Sequence, residues 1–559
     1  MDRRAFLTAK RKTLQRKPDT VQQTARTLSG LSPYSGPWDT EAVIHLLKRA
    51  MFGAAPQDIS YFISMDMQQA VDELLNPVAP LPASPVKDYT ITSDAKVPDN
   101  AVAAGAPWIN SYSTDAAVQS WRIESLKKWS IGVLINQDRS VREKMGLFWH
   151  NHFATETTVV AEPHALYKNY TMLRSSALGN FKTLVRNVTI DPAMLLYLNG
   201  DQNTKLAPDE NYARELQELF TLGKANNPNY TEDDVKAAAK VLTGWRLDLP
   251  TTTSIFSSAQ HDASAKQFSS FYNNTSIAGR SGATAGLDEL DDLLAMIFSK
   301  KTEVSQFIVR KIYRWFCYYT IDAAAETNVI VPLAQIFQNS NWEIKPVLDA
   351  LFKSEHFFDA LNRGCLIKSP VDIAVGLCRE FSVAFPDSVT EYKEAYNMWD
   401  FIRNENSIAN QEYGDPPSVA GWPSYYQTPQ FYELWINSDT LPKRNHFTDI
   451  LAYTGYTRSG KTLKIDPLAF AQQLSNPGDP NALIDDSLAI LYRVPVTATS
   501  KATIKTTILL SGQTSDYYWT NAWNAYLANP TDTMAYQTVY IRLRDLYRYF
   551  MNLAEYQLA

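Results

Sequence analysis

No stretch of about 18 consecutive apolar residues occurs in this 559-residue chain, so the sequence holds no transmembrane helix. Cysteine is sparse, with three residues at 317, 365 and 378. Three is too few for a disulfide framework, and no Cys-x-x-Cys pair marks a zinc or redox motif. One bridge remains open, so cysteine usage does not settle the compartment. A basic excess is also missing. The 53 Lys and Arg face 59 Asp and Glu, for a net charge of −6. That balance argues against nucleic acid as a partner, because non-specific binding depends on cation–phosphate contacts. The Gly-x-Ser-x-Gly elbow, the His-Glu-x-x-His helix and the EF-hand loop are all absent, and no repeat of fixed period appears.

What remains is a globular composition. Hydrophobic residues make up 45% and aromatics 12%, including 30 Tyr and 13 Trp. An aromatic core accounts for these, as does a carbohydrate or peptide surface. Residues 1–37 read as a basic flexible arm, with Arg3, Arg4, Lys10, Arg11, Lys12, Arg16, Lys17 and Arg26 against Asp2 and Asp19. Its start, Met1-Asp-Arg-Arg-Ala-Phe-Leu7, resembles a twin-arginine export signal, but Thr8 to Gln23 is polar where an apolar region is required. From Trp38 the apolar spacing turns helical, with Asp39 or Thr40 as the cap. Helices are predicted near 115–135, 139–153, 163–178, 181–186, 191–198, 208–222, 231–243, 287–298, 302–319, 329–338, 344–353, 368–382 and 532–554. Residues 77–107 form a Pro- and Ala-rich excursion, and 246–285 and 404–440 read as irregular. The predicted class is mainly α: one large multi-helical domain over 38–559, with long loops and few short strands.

Three places concentrate chemistry. His150 and His152 stand two residues apart on a predicted helix, so their side chains point about 200° apart. His152 shares a face with Met145, Phe148 and Trp149 and enters the core. His150 lies on the Arg142–Gly146 side. In the second place, Asn211, Glu215 and Glu218 form a polar stripe beside the buried Tyr212, Leu216, Leu219 and Phe220. Paired carboxylates can bind a metal or exchange protons, although the Glu-x-x-His of helical carboxylate metal sites is absent. Third, His261-Asp262 falls in an irregular segment, where function concentrates. The expected site brings His150, Glu215 and His261 together in a cleft, with His152, Asn211, Glu218 and Asp262 in support. The three lead residues are then the candidate ligands for a divalent metal. Gly455-Tyr-Thr-Arg-Ser-Gly-Lys-Thr462 matches the phosphate-loop spelling. It lacks the strand before and the helix after that the motif needs, so no nucleotide site is expected. The aromatics Trp422, Tyr425, Tyr426, Phe431, Tyr432 and Trp435 suit either a ligand platform or a pinned loop.

Several blocks carry a resemblance. They include His45-Leu-Leu-Lys-Arg-Ala-Met-Phe-Gly53, Arg142 to Thr155, Asp191 to Leu198 and Asn211 to Gly223. Further along come Tyr230 to Trp245, His261-Asp262 with Lys266 and Phe268, and Lys368-Ser-Pro-Val371. Pro416 to Pro423, Trp435-Ile-Asn437 and Glu555-Tyr-Gln-Leu558 complete the set. In this order they resemble the large bacterial family known as domain of unknown function 1800. Ser418 and the longer stretch Ser424 to Tyr432 depart from its pattern. The resemblance implies a mostly helical protein without an established activity, often exported and encoded beside a sulfatase-like protein. Two functions follow as expectations. One is an accessory or binding protein working with an exported, sulfatase-like partner. The other is a metal-dependent enzyme acting on a cell-surface or extracellular substrate. Either places the chain in the periplasm or outside the cell, without a complete signal of its own.

Overall fold

A side-chain oxygen opens helix after helix. Asp39 accepts from the Ala42 amide at 2.9 Å and starts α1, Thr40–Ala50. Asp115 does the same for α2, Ala116–Ile135, and Glu162 for α4, Pro163–Ser175, which follows α3, Arg142–His152. These caps satisfy amides that a helix start leaves unpaired. The computed structural model describes residues 30–89, 99–224, 230–422 and 435–559. Most of the expected arm therefore lies outside the described residues. Its end, 30–37, is fastened to the body: the Tyr34 amide donates to the Lys353 carbonyl at 2.8 Å and the Tyr34 ring packs on Phe358.

Helix dominates throughout, as the apolar spacing predicts. Later helices include α5, Asn211–Glu215, α6, Glu232–Val241, α7, Ala285–Phe298, α8, Lys301–Phe316, α9, Pro370–Glu380, α10, Tyr392–Ile408, and α11, Thr533–Asn552. Beyond α5 the backbone widens into a π-helix over Leu216–Thr221. Strand is confined, among the described residues, to three two-stranded antiparallel sheets. The first two, β1 Trp245–Asp248 with β2 Thr253–Phe256 and β3 Lys266–Gln267 with β4 Ser276–Ile277, fall in the segment expected to be irregular. The third pairs β5 Tyr456–Arg458 with β6 Lys461–Leu463 through Ser459-Gly460. The phosphate-loop spelling is thus a hairpin, with Lys461 turned to Glu391.

Sequence periodicity passes over Thr440–Asp449, Pro480–Leu491 and Tyr517–Ala528, all helical. The first and third are short and carry Asn, Thr and aromatics, which are weak helix formers. Their helicity comes from packing. The irregular stretch expected over 404–440 likewise begins late, because α10 runs to Ile408. No disulfide forms; all three cysteines are free thiols.

Two apolar cores lie side by side. One is gathered around α1, α6, α7 and α8, the other around α2, α9, α10 and α11. Trp315, Tyr197 and Ile490 pack against both. Helix α3 serves both as well: Met145, Phe148 and Trp149 enter the first and Leu147 the second. The chain leaves α1 by crossing α9 at two glycines. Gly53 has φ +75°, and a Cβ there would lie 2.8 Å from the Gly376 backbone. Gly53→Ala should therefore cost about 2 kcal/mol through strain and backbone displacement. Urea unfolding of the full chain measures it, and an unchanged midpoint would contradict the crossing.

Candidate functional site

Ten of the eleven residues of α3 are buried, Asn151 being the exception. Its polar groups therefore need partners. Arg142 bonds Asp138 at 3.0 Å and the Ala79 carbonyl at 2.9 Å. Glu143 accepts Arg174 Nε on both oxygens, at 2.7 and 2.9 Å. Burial raises the Glu143 pKa against the pull of Arg174 and Arg142. Lys144 donates to Asp372. His152 Nε2 lies 3.1 Å from the Phe220 carbonyl, which makes it the donor. Its Nδ1 is then left to accept from Lys311 Nζ at 2.9 Å. Burial, with Lys311 second, drives the His152 pKa well down.

His150 breaks the pattern. It is 1% exposed, yet neither ring nitrogen has a hydrogen-bond partner. Its surroundings are aromatic: Tyr413 stacked at 5.2 Å, with Tyr170 at 4.9 Å and Trp422 at 5.3 Å edge-on. Burial lowers its pKa to about 4, opposed only by Asp415, so the imidazole is neutral at pH 7. Trp422 is seated by a close approach. Its amide donates to Asn151 Oδ1 at 2.7 Å. Gly421, at φ +91°, passes so near that a Cβ would sit 2.3 Å from the Asn151 carbonyl oxygen.

His150, Tyr170, Tyr413, Glu143 and Arg174 line a chamber of about 20 Å³, large enough for one water. The Tyr170 hydroxyl is also without a partner. Trp129, Val133 and Arg174 form the wall between this chamber and a cleft of about 900 Å³. Prolines 80, 82 and 107 of the excursion make one side of the cleft, and Phe385, Pro386 and Val389 contribute to its lining. Arg142, Arg379 and Trp399 also line it, each with a buried N–H that lacks an acceptor.

The other expected site residues have different neighbours. Glu215 is partly buried next to Glu218, and burial first, then Glu218, raises its pKa to about 7. Glu218 pairs with Lys224 at 2.9 Å, while Asn211 is exposed. His261 is buried, with Nδ1 donating to the Thr243 carbonyl at 2.9 Å and Nε2 3.1 Å from Glu289 Oε1. Lys266 donates to the same carboxylate. Burial would raise the Glu289 pKa, but His261, Lys266 and the Arg280 amide hold it low. Asp262 caps its own turn by accepting from the Ser264 amide at 2.8 Å. No hydrogen bond, ion pair or ring contact joins His150, Glu215 and His261. No group of three His, Cys, Asp or Glu able to hold a metal occurs among the described residues. His261 therefore has a packing role that the sequence did not reveal, since its partner sits on α7. Of the aromatic stretch, Tyr425, Tyr426, Phe431 and Tyr432 lie outside the described residues, while Trp422 and Trp435 are buried. Residues missed by sequence reasoning include Trp129, Arg174 and Tyr413. Arg174 was one cation among many.

Residues 45–558 match the family model described as "Protein of unknown function (DUF1800)". The chain belongs to the DUF1800 family. Comparison with curated proteins and with solved structures gives no match. In this DUF1800 protein the matched blocks converge on α3: Asn151 holds Trp422 from a later block, and Lys144 holds Asp372 next to another. Among the described residues no helix is long and apolar enough to cross a membrane.

Two substitutions separate chemistry from packing here. His150→Phe keeps the aromatic contacts and removes two unpaired polar atoms, so stability at pH 7 should match or exceed wild type. The native imidazole stays neutral down to about pH 4, while the unfolded one binds a proton below 6.5. Stability is therefore lost as pH falls through that window, by about 3 kcal/mol in full. His150→Phe should remove this part of the acid slope in urea titrations; an unaltered slope would contradict it. Glu215 has the opposite sign. Its native carboxyl holds a proton between 4.5 and about 7, so stability present below pH 4.5 is lost as pH rises through 7. Glu215→Gln should be neutral at pH 4.5 and stabilising at pH 8, on the order of 1 kcal/mol after discounting solvent screening. Equal effects at both pH values would count against the shift.

Proposed function

We propose that this DUF1800 protein is a binding protein and that the cleft beside α2 and α10 is where it grips an extended segment of a partner. The observation that carries the reading is the cleft's construction. An open trough of about 900 Å³ has prolines and aromatic rings on its walls, among them Trp129, Phe385 and Trp399. Extended peptides present apolar side chains and rows of carbonyl acceptors, and proline- and aromatic-lined grooves are a recurrent way of holding them. Val389, 80% exposed, stands in the lining as an apolar contact without a packing role. The family resemblance supplies the partner class, an exported sulfatase-like protein.

A second reading, chemistry at His150, has one specific observation in its favour. A neutral, unpaired imidazole lies behind the cleft wall with a free phenol nearby, and buried groups with perturbed pKa concentrate at reactive sites. A metal-dependent form of that reading has no ligand group to support it among the described residues.

The two readings part under one experiment. The purified chain is titrated with a sulfatase-like protein exported by the same cell, using wild type, Val389→Asp and His150→Phe. The binding reading expects saturable association that Val389→Asp weakens at least tenfold and His150→Phe leaves unchanged. Absence of association, or indifference to Val389→Asp, removes it.

A further inference from the structure

On the other side of α3 lies a second, smaller cavity of about 70 Å³. Lys48, Arg49, Lys144, Arg314, Lys368 and Asn151 line it, with Asp372 as the acidic side chain in the wall. Three of these cations are answered, Arg314 by donating Nε to the Tyr319 carbonyl at 3.2 Å. Lys48 pairs with Glu380 at 2.7 Å, and Lys144 with Asp372. Lys368 and Arg49 are not answered in this way. Lys368 is 6% exposed, and among the described residues its ammonium has neither a carboxylate nor a hydrogen-bond acceptor within reach; it lies over the Tyr556 ring face at 4.1 Å. Arg49 is 2% exposed and uses Nη2 alone, toward the Asn362 and Ala559 carbonyls at 2.6 and 2.8 Å. Its Nε and Nη1 have no partner. A free carboxylate on Ala559 would answer Arg49 and still leave Lys368. The nearby helix start is not what makes the site, because Ser369, Asp372 and Gln411 already occupy its first amides.

Burying a cation without a counter-charge is expensive, and proteins resolve it by pairing. Here the pair is incomplete on the protein side, and the gap is a cavity of suitable size. We propose that this cavity binds one small dianionic oxyanion, held between the Lys368 ammonium and Arg49, with Lys48, Lys144 and Asn151 around it. The site stands apart from the cleft and does not depend on its occupant. Burial already lowers the Lys368 pKa to about 7 in the unliganded protein. Lys48 and Arg444 push it further down, and Glu380 and Asp372 push it back up. An anion would restore the proton, so affinity should be greatest below pH 7 and fall above it.

The probe is inorganic sulfate, which does not itself titrate in this range, with the full chain in chloride of matched ionic strength. Calorimetry at pH 8 in buffers of different ionisation enthalpy should show one sulfate bound with uptake of nearly one proton. Lys368→Met, close in shape, should lower affinity at least tenfold and abolish the proton uptake. Absence of saturable binding would overturn the proposal. So would binding that Lys368→Met leaves intact. The proton count is read on wild type, so a misfolded variant does not leave the question open: sulfate binding without proton uptake also rejects it.

Discussion

Burial of one polar helix on all sides is the constraint on which this structure turns. α3 carries Arg142, Glu143, Lys144, His150 and His152, and all are buried. A helix of that composition would normally show a wet face. Here every side is packed, so the surroundings had to supply Asp138, Arg174, Asp372, the Phe220 carbonyl and Lys311. Those partners come from α4, α8, α9, the π-helix after α5 and the loop before α3. The two apolar cores are thus joined by ionic and hydrogen-bonded pairs as well as by shared Trp315 and Tyr197. Such pairs contribute little net stability, but breaking one leaves a stranded charge, which makes the arrangement of helices around α3 specific.

Much of this was legible from spacing alone. The opposed directions of His150 and His152 follow from helical geometry, and each ring does enter a different environment. The cap at Asp39 and the mainly helical class also follow from local rules. What escaped depends on distance along the chain. His261 looked idle because Glu289 and Thr243, which hold it, belong to separate elements. The carboxylate stripe drawn through Glu215 and Glu218 assumed a regular helix, whereas the π-helix over Leu216–Thr221 changes the spacing there. Lys368 and Arg49 stood in plain view within matched blocks, but a sequence does not record which cations end without an acid.

The two cavities differ in kind. The cleft is broad, with proline and aromatic walls, and its donors sit within those walls. The basic cavity is small and its charge is concentrated. Both draw on α3, from opposite sides. This helix explains why residues spread from Lys48 to Trp435 belong to one arrangement.

Trp422 gives that arrangement a further property. One indole is both a wall of the basic cavity and a contact of His150, and its backbone amide is tied to Asn151. The ring thus stands between the basic cavity and the imidazole that lines the chamber. Any occupant that moves it on one side alters the free energy of occupancy on the other. Thermodynamic reciprocity then requires the same factor in both directions. An occupant of the basic cavity that displaced this indole would therefore be felt at His150, the imidazole that lines the chamber.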